Sequence, residues 1–246
     1  MEPAEYRRLA EVEDEMWYFR ALHAHLSREL HRNLGGGRPW HVLDAGCGTG
    51  GLIRRLQPLQ PGWRWTGVDA SDLACRLARE RVPGGNVVQA RLEALPFPAA
   101  TFDAVVCADV LYHLHDDEVA LRELARVLRP GGCLVVNVPA HRWLWSYHDV
   151  AVHAVRRYDR AELRTKVERA GLQVNRLTHW NTLLLPVLAV RRKLLPAPAG
   201  GSDVHSYPSI LDAGFRGATW LEQLGLASGV DFPCGSSLLA VAHKTA

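Results

Sequence analysis

Apolar positions along the chain follow two kinds of spacing. Over residues 3–34, Leu9, Val12, Met16, Trp17, Leu22, Leu26 and Leu30 recur at helical intervals with charges between them. This predicts one or two amphipathic helices, ended by Gly35-Gly36-Gly37 and Pro39. From Trp40 the spacing changes, and short apolar runs alternate with helical stretches. The pattern predicts strands over 41–45, 64–68, 86–89, 104–108 and 133–138. Between them it predicts helices over 51–59, 73–81 and 118–128, the last closed by Pro130-Gly131-Gly132. This alternation implies an α/β fold, a doubly wound sheet with helices on both faces.

After Pro139 the alternation loosens. Residues 140–158 are rich in His, Trp, Tyr and Arg. A helix is predicted over 160–170, ending at Gly171, then a strand over 172–177 and a helix near 217–225. Between the last two lie an apolar segment, the basic cluster Arg191, Arg192 and Lys193, and a Pro/Gly loop at 196–201. A final strand is predicted over 236–243. The expected organisation is one domain over 1–246. It comprises a helical cover (1–37), a ligand-binding core (38–140), a lid or insertion (141–235) and the closing strand (236–246).

The core carries the sequence VLDAGCGTGG over 42–51. A buried strand running into glycines and then a helix lets the backbone approach a ligand closely, at the end of the sheet where α/β folds bind. The spacing of Gly46, Gly48 and Gly51 also satisfies the dinucleotide fingerprint. Asp44 separates the two readings. A carboxylate there sits poorly beside a pyrophosphate and suits a ligand with a sulfonium and an ammonium group. Asp69 lies about twenty residues past the glycines, where an acid accepts hydrogen bonds from ribose hydroxyls. Its other reading is an N-cap of the next helix, a role open to Ser71 as well.

These segments, with RLEALPFPAATFDAVVCADVLYHL and LRPGGCLVVNVPA after them, resemble class I S-adenosylmethionine (SAM)-dependent methyltransferases. They look most like the bacterial small-molecule group that includes ubiquinone/menaquinone-biosynthesis-type enzymes. The resemblance covers about 38–140. It implies a Rossmann-like seven-stranded sheet with an antiparallel last strand, and SAM (product S-adenosylhomocysteine) across the strand ends. It implies that Ala45, Gly46, Cys47, Gly48 and Gly50, after Asp44, hold the methionyl part. Asp69, with Ala70 beside it, would take the ribose. Arg91 and Leu92 would flank the adenine, and Ala108 and Asp109 would lie near the methionyl group. Arg91 stands where many relatives carry Asp or Ser, which removes the side-chain acceptor for the adenine amine and leaves a backbone donor at Leu92 for the adenine ring.

Methyl transfer needs alignment first, and a base only if the acceptor must lose a proton. The base candidate is His113, just beyond the fourth core strand, with Tyr112 beside it on the pocket or in the core. A packing or capping role for His113 is equally open. A second cluster over 141–163 holds His141, His148, His153, Arg156, Arg157 and Tyr158. His148 is a further catalytic candidate, and the others read as a substrate-facing lid whose paired arginines hold an anion. The alternative is a solvated face paired with Asp159 and Glu162. The histidine spacing matches no standard zinc pattern, and no metal is expected. Trp17 and Tyr18 either shield the sulfonium or simply pack. The segment 180–195 reads as a core helix interrupted by Pro186, as a lid over a greasy acceptor, or as a weak membrane-surface contact.

Net charge is +3, and no basic stripe interleaved with aromatics marks a nucleic-acid binder. The five cysteines form no C-x-x-C pair, and the N-terminus lacks an apolar export core, so a reduced cytoplasmic protein is expected. The expected reaction is methylation of an O, N or C atom of a small molecule, with a lipid-like or secondary-metabolite acceptor suiting the apolar insertion. A nicotinamide-dependent oxidoreductase and a non-catalytic SAM-binding scaffold are the alternatives. Oligomeric state is left open.

Overall fold

The computed structural model describes residues 3–35, 38–197 and 202–245. Gly36 and Gly37 of the glycine run, and positions 198–201 of the Pro/Gly loop, lie outside them. In chain order the elements are α1 (Pro3–Val12), α2 (Trp17–Leu34), β1 (His41–Ala45), α3 (Gly51–Leu56), β2 (Arg64–Asp69), α4 (Asp72–Arg81), β3 (Asn86–Gln89) and β4 (Phe102–Ala108). Then follow α5 (Asp117–Val127), β5 (Leu128–Pro139), α6 (Tyr147–Ala151), α7 (Arg160–Arg169), β6 (Leu172–Trp180), α8 (Leu185–Lys193), α9 (Ser209–Ala227) and β7 (Ser237–Lys244).

The seven strands form one sheet in the order β3-β2-β1-β4-β5-β7-β6. β1 to β5 pair in parallel, and β7 runs antiparallel to both its neighbours. Successive side chains along a strand point to opposite faces. Leu43, Val105, Leu134 and Val136 therefore join the core under α5 and α7. Val42, Ala104, Val106, Cys133 and Val135 join the one under α2 and α3. Both faces are covered, which explains why these strands read as continuous apolar runs.

Several boundaries differ from the sequence expectation. The helix expected over 51–59 is α-helical only through Leu56 and continues as a 3₁₀ turn over Gln57–Leu59, with Pro58 at its start. β5 begins at Leu128, so Pro130-Gly131-Gly132 lies within a twelve-residue strand, where a register shift against β4 absorbs the turn. The helix expected near 217–225 runs over nineteen residues as α9. Gly214 and Gly217 mask its start in the sequence, because glycine disfavours helix interiors. The core-helix reading of 180–195 is overturned: α8 has no buried residue.

Candidate active site at the carboxyl ends of the strands

From β1 the chain winds outward to β2 and β3, and it then returns to place β4 on the other side of β1. The loops after β1 and β4 diverge at this switch point and leave a crevice. A cavity of about 480 Å³ fills it.

At one end the loop after β1 forms a cradle. The N–H groups of Gly46 and Cys47 both donate to the Val68 carbonyl, at 2.7 and 2.9 Å. Gly46 has φ +85°, and a Cβ there would lie 2.2 Å from Val110 Cγ2. Only glycine fits this position. Asp69 accepts from the N–H of Gly48 (3.0 Å) and of Ser71 (2.8 Å). Ser71 itself caps α4 by accepting from Ala74 N–H, so the capping role falls to Ser71 and Asp69 stays with the loop.

Asp44 is 3% exposed, and its Oδ2 has no hydrogen-bond partner among the described residues. Burial, with the charges of Glu13 and Asp69 nearby, pushes its carboxyl up to about 8. A buried carboxyl without a partner beside a glycine cradle fits a cationic ligand, whose charge favours the ionised form that burial disfavours.

The N-terminal helices close over this cradle. Tyr6 Oη of α1 reaches Asp69 at 3.5 Å. Glu13, between α1 and α2, accepts from Thr49 and Arg81 and is buried against the loop. Tyr18 donates to Asp109 (2.9 Å), which also accepts from Asn137 (2.8 Å). Asn137 Oδ1 accepts from Trp180 Nε1 at 2.7 Å, and Tyr18 stacks on the Trp180 ring. Asp109 adopts φ +56°, a strained backbone for a non-glycine residue, and this network holds it there. Burial raises its carboxyl to about 6.

The cavity is also walled by Tyr112 and His113 after β4, by His148, Asp149 and Arg157, and by Arg192, Asp203 and Tyr207. His113 Nδ1–H donates to the His153 carbonyl at 3.4 Å. That leaves its buried Nε2 as the lone-pair nitrogen, without a partner among the described residues. Burial holds the imidazole down at about 4, so it is neutral at physiological pH. His148 Nδ1 accepts from Asp203 N–H, and burial likewise lowers it to about 4.

Most of the sequence candidates meet on this wall: Asp44, Gly46, Cys47, Gly48, Asp69 and Ala70 around the cradle; Arg91, Leu92, Ala108 and Asp109 beside it; Trp17 and Tyr18 over it. Ala45 and Gly50 do not reach the wall. Ala45 is fully buried in the sheet core, and Gly50 turns the chain against Ala78. Nor do four of the proposed lid residues. Arg156 and Tyr158 both turn to Asp117 beneath the surface, at 3.2 and 2.5 Å. His141 stacks on His179, and His153 contributes its backbone carbonyl to His113. The paired arginines thus form no joint anion clamp. Their ion pairs are also not with Asp159 or Glu162, because Arg157 pairs with Asp149 and Arg156 with Asp117. Tyr6, Glu13 and Asn137 carried no local signal in the sequence, because their partners lie far along the chain. Arg192 was visible only as part of a basic cluster, and its pairing with Asp203 on the cavity wall was not.

A methyltransferase-domain family profile matches residues 43–136. The chain is 31% identical over 188 residues to a trans-aconitate 2-methyltransferase from Azoarcus sp., covering 75% of this chain and 68% of that protein. It is 41% identical over 102 residues to the ubiquinone/menaquinone biosynthesis C-methyltransferase UbiE of Pasteurella multocida, covering 39% and 38%. In the curated relatives matched, the aligned region spans 38% to 68% of their length, about half in several. Among solved structures, Haemonchus contortus phosphoethanolamine N-methyltransferase 2, in complex with S-adenosyl-L-methionine, superimposes with a TM-score of 0.60 at 17% identity, covering 90% of this chain and 53% of that one. The strand order, the glycine cradle and these matches agree, and the chain belongs to the class I SAM-dependent methyltransferase family.

Proposed function

We propose that this protein transfers a methyl group from SAM to an oxygen or nitrogen atom of a small-molecule acceptor. The observation that carries this reading is the continuity of the cavity. One volume runs from the acidic glycine cradle at Asp44 and Asp69 to the neutral imidazole of His113. When bound, SAM supplies an electrophilic methyl on a sulfonium. Asp44 offsets positive charge in the cradle, and Asp69 offers its carboxylate to ribose hydroxyls. The α1 and α2 segments, held by Glu13 and Tyr18, exclude water from the cofactor. His113 Nε2 accepts a hydrogen bond from the acceptor's O–H or N–H and directs the lone pair of that atom toward the methyl group. As an imidazole held near 4, it orients the acceptor more than it removes the proton.

The relatives are named for acceptors as different as trans-aconitate and demethylmenaquinone. The region matched by the family profile is the cofactor half, so it carries little information about the acceptor. Acceptor choice rests on the walls built from 148–192 and 203–207, where Arg157 and Arg192 are each already neutralised by a buried aspartate. This favours a neutral, hydrogen-bond-donating acceptor over a polyanion.

Calorimetric titration with S-adenosylhomocysteine tests the cofactor part. We expect saturable binding, weakened at least about tenfold in Asp69→Ala, and no binding of NADH. NADH binding without S-adenosylhomocysteine binding would overturn the proposal. Turnover with labelled SAM on a panel of hydroxylated and amino acceptors tests the rest, and tight cofactor binding with no turnover of any acceptor would favour a scaffold. With an acceptor in hand, His113→Ala should lower kcat by about ten- to a hundredfold without changing cofactor affinity. An unchanged kcat would remove His113 from the mechanism.

A further inference from the structure

Helix α9 is inverted relative to an ordinary surface helix, which buries its apolar stripe and exposes its charges. Asp212, Thr219 and Glu222 are buried, with Leu226 near the helix end, while Ile210, Leu211, Trp220, Leu221 and Leu224 are half or more exposed. Ile210 reaches 85% exposure. The buried acids have local work: Asp212 pairs with Arg216, and Glu222 accepts from the Thr182 N–H at 3.0 Å.

Helix α8 repeats the pattern. Leu188 and Arg192 face inward onto the cavity, and Val187, Val190, Leu194 and Leu195 are about half exposed or more. The start of α8 is tied to α9 where Glu222 accepts from the Thr182 N–H, and Leu184, Phe215 and Ala218 join one cluster around Met16 and Trp17. Trp145 is partly exposed beside α8, where its carbonyl receives Lys193. Exposed apolar side chains in this number on two linked helices mark an interaction site.

Charge identifies the occupant. Between 183 and 227 the acidic residues are Asp203, Asp212 and Glu222, and all three are buried. Arg216 of α9 is paired with Asp212, but two cations beside the apolar side chains of α8 have no acidic counterpart. Arg191 bonds the Pro196 carbonyl and lies over the Tyr147 ring, and Lys193 bonds the Trp145 carbonyl. Among the described residues neither has a carboxylate partner. An outward apolar face with exposed tryptophan, rimmed by cations and cleared of acids, is complementary to an anionic lipid surface. No helix among the described residues is long and apolar enough to cross a membrane, so the contact would lie in the interfacial plane.

We infer that the outer face of α8 and α9 docks this protein on an anionic membrane surface, with the α8 wall of the cavity toward the bilayer. The inference is independent of methyl transfer. It is tested by co-sedimenting the full chain with vesicles of phosphatidylcholine and phosphatidylglycerol at about three to one, and with vesicles of phosphatidylcholine alone. The anionic vesicles should bind the protein at least about tenfold more tightly, and added salt should weaken that binding. Trp220→Glu and Leu224→Glu should each remove most of it, and Lys193→Glu should reduce it. Melting temperatures should hold, because these side chains are exposed. Failure to sediment with anionic vesicles, or equal binding to both compositions, would overturn the inference. So would a dimer seen by light scattering that Trp220→Glu returns to monomer, since the face would then belong to a second copy of the chain.

Discussion

Arg157→Met should destabilise the protein by about 3–5 kcal/mol, read as a drop in the urea midpoint. The guanidinium makes a two-point contact with Asp149, at 2.7 and 3.1 Å, and donates to the Ala140 carbonyl at 2.9 Å. Both charged side chains are 2% exposed. Methionine fills much of the same volume, so the loss comes from the buried Asp149 charge left behind and not from a cavity. Asp149 also accepts from the Ser146 N–H at 2.8 Å and completes a capping box on α6. The effect should therefore spread to α6, including His148 on the cavity wall. A residue that merely held an acceptor anion would behave differently. Its replacement would raise KM and leave the urea midpoint unchanged, and that result would restore the lid reading of Arg157.

Asp44→Asn should weaken SAM binding at pH 8 by at least about thirtyfold and remove most of its pH dependence between pH 7 and 8. In the free protein the Asp44 carboxyl is raised from 3.8 to about 8. Below about pH 8 the native site therefore holds a proton that a cationic ligand must displace. Affinity should climb by up to about tenfold per pH unit between pH 6 and 8, then level off. Calorimetry in two buffers of different ionisation enthalpy should find about one proton released at pH 7 for the wild type and almost none for the variant. Stability follows the same linkage. The native state holds this proton more tightly than the unfolded chain, so the contribution of Asp44 to stability is greatest in acid and declines as pH rises from 3.8 to about 8. Asn cannot ionise, and the variant without cofactor should melt higher than wild type at pH 8. A pH-independent affinity in the wild type would show that Asp44 is not the counter-charge.

The alternation of strands and helices, the glycine cradle and the acidic residues at the ends of β1 and β2 were all legible in the sequence. They depend on periodicities of two and 3.6 residues and on backbone positions that only glycine tolerates, and such properties are written locally. The inward alternation of Leu43 and Val105 against Val42 and Ala104 needs no knowledge of distant chain. Other features were decided only by packing. Glu13 meets Thr49 and Arg81, thirty-six and sixty-eight residues away. Arg156 and Arg157 are adjacent in sequence yet serve different carboxylates, since the buried positions of Asp117 and Asp149 are set by α5 and α6. The periodicity of α9 shows that an apolar stripe exists but not which way it points. That orientation was fixed by where Glu222 found the Thr182 N–H, because a buried acid must be paired while an exposed leucine loses only its own transfer free energy.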